Sequence, residues 1–252
     1  MMIDVAMLMR IAGPAAIASN VNSVIVALSS YAALGQLEPP HRLAQYLAQL
    51  DEESGGFHYD KELWGPTAAQ SGYEGRRDLG NTHPGDGKKY MGRTGIQLTG
   101  AHNYRLFRDW CALQHLTPPD FVAHPEEINT DPWEGLAPIW YWAAGNQTGR
   151  SLNAYADAGN IEMITRMING GMNGFGQRLA DYTRIGLALA GFDPDQHGAV
   201  LRFQQAAQKA GLLPADTTNS AGRRVTPCDG IPGPQTRAAL HATLKAMGPA
   251  TP

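Results

Sequence analysis

Apolar residues recur along most of this chain at intervals of three and four, the spacing that lines up one face of an α-helix. After Pro39-Pro40, the residues Leu43, Tyr46, Leu47 and Leu50 form such a stripe. Gly55-Gly56 closes it, because glycine readily takes the left-handed conformation that ends a helix. The same period predicts a helix over 103–113 and another across 131–145. In the latter, Trp133, Leu136, Ala137, Trp140 and Tyr141 make a broad apolar face that reads as core before it reads as a sugar-stacking surface. Two more helices are predicted at 160–168 and 177–190, and the apolar N-terminal stretch reads as a helix pair. Residues 65–95 are different: rich in Gly, Asp, Asn and Pro, they have almost no apolar period and predict a long ordered loop. Loops of that length inside a compact domain are usually functional or disordered. "KYMGRTGIQL" at its end is read as a short strand or two. The period breaks again at "GFDPDQHG", which places a boundary between domains 1–191 and 192–252. The fold class is mainly α.

Composition changes this picture little. With 43% hydrophobic residues and a net charge of −3, the chain has the make-up of a soluble globular protein and no global attraction for nucleic acid. The charge is uneven: residues 192–252 carry six Lys/Arg against four Asp/Glu, and the remainder 14 against 19. A basic tail on an acidic body suits an anionic polymer, although ordinary solvated charge is the plainer reading. Two cysteines, Cys111 and Cys228, are too few for a disulfide scaffold and fit no metal-ligand spacing, so both read as free thiols of a reducing compartment. The stretch from Ile11 to Gly35 resembles a signal or anchor only superficially, since Pro14, Ser19, Asn20, Asn22 and Ser23 interrupt it. No clear signal peptide and no stable membrane association are expected. His58, His83 and His102 lie near the unusual loops but form no H-E-x-x-H pair, so neither metal nor cofactor is expected. A monomer is the default.

The candidate chemistry lies in "LDEESGGFHYDKELWG", residues 50–65, where five acids surround the Gly-Gly turn. Helical phase separates the first three. Glu52 lies opposite the apolar stripe, whereas Glu53 and Asp51 lie about 70° and about 90° from its centre, on the margins. A carboxyl on the margin is partly desolvated, which raises its pKa as a general acid near neutral pH requires. Phase prefers Glu53 over Asp51 only slightly. Glu62 follows nine positions later, across the turn, and two carboxylates on facing walls are the equipment of glycoside hydrolysis. Two acids in a sequence are by themselves more often solvated surface.

Three segments add a further signal. "LAQLDEESGGF", "YEGRRDLGNTHPGDGKKYMGRTGIQLTGAHNY" and "MINGGMNGFGQR" resemble the family 19 glycoside hydrolases, nearest to the bacteriophage endolysin branch of that chitinase-like family, over roughly residues 15–190. The resemblance implies a lysozyme-like helical fold and an inverting, single-displacement reaction. In such a reaction the carboxyls stand roughly 6.5–9.5 Å apart. It also implies that Glu53 is the general acid, Glu62 the general base and Thr99 the hydroxyl that positions water. Gln97, Asn103, Tyr104 and Asn169 would bind substrate, and Arg178 would support the catalytic groups from behind. Glu52 replaces the histidine usual before the acid. Asp51 and Asp60 are left as surface charge, and Glu74 and Arg76 order the long loop.

The tail, "VLRFQQAAQKAGLLP" followed by "CDGIPGPQTRAALHATLKA", resembles the peptidoglycan-binding module with the signature DG-x-x-G-x-x-T. Val200, Phe203 and Ala207 make one apolar stripe, and Ala239, Leu240, Thr243 and Leu244 another. Together the resemblances imply an endolysin that hydrolyses the β-1,4 bond between N-acetylmuramic acid and N-acetylglucosamine. It would be held in the host cytoplasm until released to the wall. A chitinase with the same acid pair is the nearest rival. A wall-binding protein without catalysis is another, against which the joint presence of Glu53, Glu62 and Thr99 speaks.

Overall fold

The computed structural model describes residues 3–218 and 222–248. These are mainly helical, in chain order α1 (Val5–Ala12), α2 (Ala18–Gly35), α3 (Pro40–Glu53), α4 (Ala68–Ser71), α5 (Asp86–Lys89), α6 (Ala101–Leu113), α7 (Trp133–Trp140), α8 (Asn153–Asp157), α9 (Ile161–Asn169), α10 (Phe175–Leu189), α11 (Ala199–Lys209) and α12 (Pro234–Ala246). A short antiparallel hairpin pairs β1 (Thr217–Thr218) with β2 (Arg224–Val225). No helix among the described residues is long and apolar enough to cross a membrane. The predicted α3 ends at Glu53, and Gly55 and Gly56 follow at φ +63° and +75°, the left-handed turn that the Gly-Gly pair foretold.

Contacts divide the chain into two compact units. The first consists of Asp4–Gln36 and Leu50–Leu152; the second contains Leu37–Gln49 and the chain from Asn153 on. In the first, α2 and α7 pack at close range because Gly135 has no side chain: a Cβ there would fall on the carbonyl oxygen of Ser23 and come within 2.7 Å of Ala27 Cβ. Around this contact lies an aromatic core. Phe107 stacks on Phe121 at 5.4 Å between centroids and meets Trp140 at 5.5 Å, while Trp142 is 1% exposed. Of the predicted apolar face, Leu136, Ala137 and Trp140 are buried, while Trp133 and Tyr141 are half-buried. A π-helical turn, Tyr141–Gly145, continues α7.

The second unit is tied by polar contacts between distant segments. Asp157 at the end of α8 accepts from Arg42 Nε at 2.6 Å and from Arg42 Nη2 at 2.7 Å, with His41 Nε2 at 2.9 Å. Those partners, Arg42 foremost, hold its carboxyl down at about 2. Gly186 in α10 gives room to Leu240 of α12, whose Cδ2 would lie 2.7 Å from any Cβ at that position. Between α11 and α12 the two N–H groups of the fully buried Gln204 amide are shared among Asp229 Oδ1, the Ile231 carbonyl and Thr236 Oγ1, each at 3.0 Å, and its carbonyl accepts from Gly230 N at 2.8 Å. The tail signature is thus a hydrogen-bonded knot around one amide. Of the predicted stripes, Phe203, Ala207, Ala239, Leu240 and Leu244 are buried, and Val200 and Thr243 are half-buried.

Candidate active site

The long loop of the first unit is ordered from within. Thr67 and Gln70 form a reciprocal capping box on α4, Asn81 Nδ2 donates to the Tyr73 carbonyl at 2.9 Å, and the Glu74 carboxylate accepts from the N–H groups of Gly85 and Gly87 at 2.6 and 2.9 Å. Glu74 therefore orders the loop, as expected of it. The strands expected in "KYMGRTGIQL" are instead two single bridges, Lys61 with Arg93 and Arg93 with Leu98. The turn at Thr94 and Gln97, both at positive φ, leaves no length for a ladder.

That bridge positions Glu62. Its N–H donates to the Gly92 carbonyl at 2.9 Å. Its side chain accepts from Gly92 N at 2.7 Å on one oxygen and from Tyr73 Oη at 2.9 Å on the other. Burial first, and then the hydrogen bond and charge of Glu62, push the Tyr73 phenol up to about 12, so it stays a donor. Gly92 is the point where three predicted residues converge. A Cβ there would collide with Gln97 Oε1 and lie 3.1 Å from Thr99 Oγ1 and 3.2 Å from Glu62 Cγ. Thr99 Oγ1 donates to the Gln97 carbonyl at 2.8 Å, and Asn103 Nδ2 donates to the Thr99 carbonyl at 2.9 Å. Gln97 Oε1 is buried and has no partner.

Glu53 sits half-buried on the last residue of α3, and its charge, after burial, raises the Tyr141 phenol. Asp51, assigned to the surface, is only 4% exposed: the Gly-Gly turn folds back on it, with Gly56 N donating to its carbonyl at 2.8 Å. Tyr104, expected to touch substrate, is fully buried. Its hydroxyl donates to the Met91 carbonyl at 2.7 Å and accepts from Arg93 Nη1 at 2.8 Å, a place in the core behind the loop. In the second unit Arg178 is buried and donates to Gln49 Oε1 of α3 at 2.7 Å. Asn169 is half-buried at the end of α9, and its Oδ1 has no partner.

Periodicity missed Tyr73, Gly92 and Glu134. Tyr73 lies in the aperiodic loop, and its bond to Glu62 exists only in three dimensions. Glu134 left a trace, an acid on the first turn of an otherwise apolar helix. It is 9% exposed, and burial, followed by the charges of Asp60 and Asp131, pushes its carboxyl up to about 7. The Asn129 side chain and Lys61 pull the other way, and Asn129 also donates to the Asp60 carbonyl at 2.9 Å.

No protein-family model matches the chain. A glycosyl hydrolase family 19 domain-containing protein of Haemophilus influenzae is 32% identical over 170 residues, which cover 56% of this chain and 77% of that protein. An endochitinase of Arabidopsis thaliana is 29% identical over 64% of this chain and 50% of its own length. Among solved structures, chitinase C from Streptomyces griseus superposes with a TM-score of 0.55 at 25% identity, covering 72% of this chain and 74% of that one. A bacterial family 19 chitinase shares the fold at a TM-score of 0.56 and 23% identity, over 72% and 92%. With the mainly helical, lysozyme-like fold, these likenesses define a glycoside hydrolase. The chain belongs to glycosyl hydrolase family 19.

Proposed function

We propose that the enzyme is an endolysin-type hydrolase of peptidoglycan. It cuts the β-1,4 bond between N-acetylmuramic acid and N-acetylglucosamine with inversion, using residues 1–191 for catalysis and 192–252 for wall binding. The observation that carries the hydrolytic part is the pair of donors on Glu62 beside a Thr99 hydroxyl already committed to the Gln97 carbonyl. With its proton so directed, the Thr99 oxygen offers lone pairs to a water hydrogen. The other water hydrogen goes to Glu62, and the water lone pair points at the anomeric carbon. Glu53 gives its proton to the departing glycosidic oxygen as the carbon–oxygen bond breaks, and Glu62 ends protonated. Gln97, Asn103 and Asn169 contact the sugar in this reading, with Arg178 and Tyr104 acting from behind.

Peptidoglycan is favoured by the tail, whose DG-x-x-G-x-x-T residues close around Gln204 as one small helical module. The enzyme would act alone, waiting in the cytoplasm of a bacterial host until a membrane pore releases it. A second reading, hydrolysis of chitin, is favoured by the names of the Arabidopsis and Streptomyces relatives. Mass spectrometry of products from purified sacculi decides between them. New reducing ends on N-acetylmuramic acid are expected; intact sacculi beside cleaved chitin oligosaccharides overturn the proposal. Glu53→Gln should abolish turnover on either polymer while the fold persists, and substantial residual hydrolysis would remove Glu53 from the acid role.

A further inference from the structure

A second concave site lies within the second unit, where α12 meets α10 and the α8–α9 turn. Its volume is about 290 Å³, at the lower edge of the range of small-ligand sites, and its walls include Ala158, Ile161 and Pro234. Three polar groups line it without adequate partners. Arg237 gives one N–H to the Pro232 carbonyl, and among the described residues no carboxylate pairs with its charge. The Tyr182 hydroxyl belongs to a side chain 4% exposed and has no hydrogen-bond partner. His241, four residues after Arg237 and so on the same face of α12, spends Nε2–H on the Asp157 carbonyl at 3.2 Å, which leaves Nδ1 as a buried acceptor, also without a partner.

Such groups are costly to bury unsatisfied, and their chemistry specifies what would satisfy them. A guanidinium and a phenol offer donors to an anion. Burial lowers the pKa of both Arg237 and His241, which keeps the imidazole neutral and able to accept. The complement is one carboxylate with an N–H donor close by, carried on a small apolar body.

We propose that this cavity binds the carboxyl-terminal residue of a short peptide, with the carboxylate on Arg237 and Tyr182, the amide N–H on His241 Nδ1, and a small side chain against Ile161 and Pro234. The stem peptides of peptidoglycan end in such a group, so the inference deepens the wall-hydrolase reading and rests on it for the identity of the natural ligand.

The test uses the full chain in calorimetric titrations with N-acetyl-D-alanyl-D-alanine, its carboxamide, and acetate. The acid should bind saturably, and the amide at least ~10-fold more weakly, as the loss of charge-assisted hydrogen bonds implies. Arg237→Gln should weaken acid binding by at least ~10-fold, and Tyr182→Phe, which keeps the ring, by several-fold. Hydrolysis of soluble oligosaccharides by Arg237→Gln should stay unchanged. Equal binding of acid and amide, no saturable binding, an unaffected Arg237→Gln, or acetate binding as tightly as the dipeptide (an anion site only) would each overturn the proposal. No glycan is cleaved in these titrations, so failure here leaves the sacculus digestion to judge the substrate separately.

Discussion

Replacing Glu134 by Gln should stabilise the enzyme above pH 7 and leave it nearly unchanged at pH 4. In the fold the carboxyl ionises at about 7, against 4.5 when free, because it is buried beside Asp60 and Asp131. A raised carboxyl pKa means that the folded state holds a proton the unfolded chain has lost. The stability this confers is complete below the unfolded pKa and is lost as pH climbs to the folded one. At 1.36 kcal/mol per unit, the difference amounts to ~3 kcal/mol between pH 4.5 and 7, with no further change above. Gln has the same shape and no charge, so the variant should escape that loss. Urea titrations of both proteins from pH 4 to 8 give the difference at each pH, and groups common to both cancel. The difference should grow toward ~3 kcal/mol through this window and then level. A difference that does not vary with pH, or a variant less stable than the parent at pH 8, would refute the argument that Glu134 is buried against like charge.

Tyr73→Phe removes the donor on one oxygen of Glu62 and keeps the ring near Trp64; a charge-assisted hydrogen bond contributes ~1.5–3 kcal/mol, so kcat/KM on a soluble oligosaccharide should fall ~10- to 100-fold with the urea midpoint little changed. Gly92→Ala pushes apart Gln97, Thr99 and Glu62, and a displacement near 1 Å should cost kcat on the order of 100-fold, measured on the same substrate with the far-ultraviolet dichroism preserved. Gly135→Ala forces α2 and α7 apart and should destabilise by ~1–3 kcal/mol in urea titration, with no change in product stereochemistry.

How far the chain could be read from its sequence depends on the distance over which each feature is decided. The α3 stripe, its Gly-Gly stop and the two tail stripes are local; most of their apolar residues are buried, but Leu43, Val200 and Thr243 are half-buried, and Gln45 and Gln49 off the α3 stripe are buried too. Asp51 shows the limit: phase put it on the margin of the helix, but the fold-back after Gly55 buries it, and phase cannot see what covers a helix end. Tyr104 fails differently: the resemblance put it at the substrate, but its ring turns inward and its hydroxyl accepts from Arg93. β1 and β2 are two residues each and too short for alternation to register. Tyr73 and Gly92 act on Glu62 through contacts 11 and 30 residues away in sequence, information that no local pattern contains.

The ties between Arg42 and Asp157 and between Gly186 and Leu240 also set an order of events during synthesis. The first unit is complete once Leu152 has left the ribosome, whereas Arg42 must wait 115 residues for its partner, and α10 waits until α12 emerges. Contacts of such separation close slowly, and domains generally fold in the order they emerge. The segment from Leu37 to Gln49 is therefore translated early and committed late. Until then Gln49 lacks the Arg178 donor that the rest of its own unit supplies.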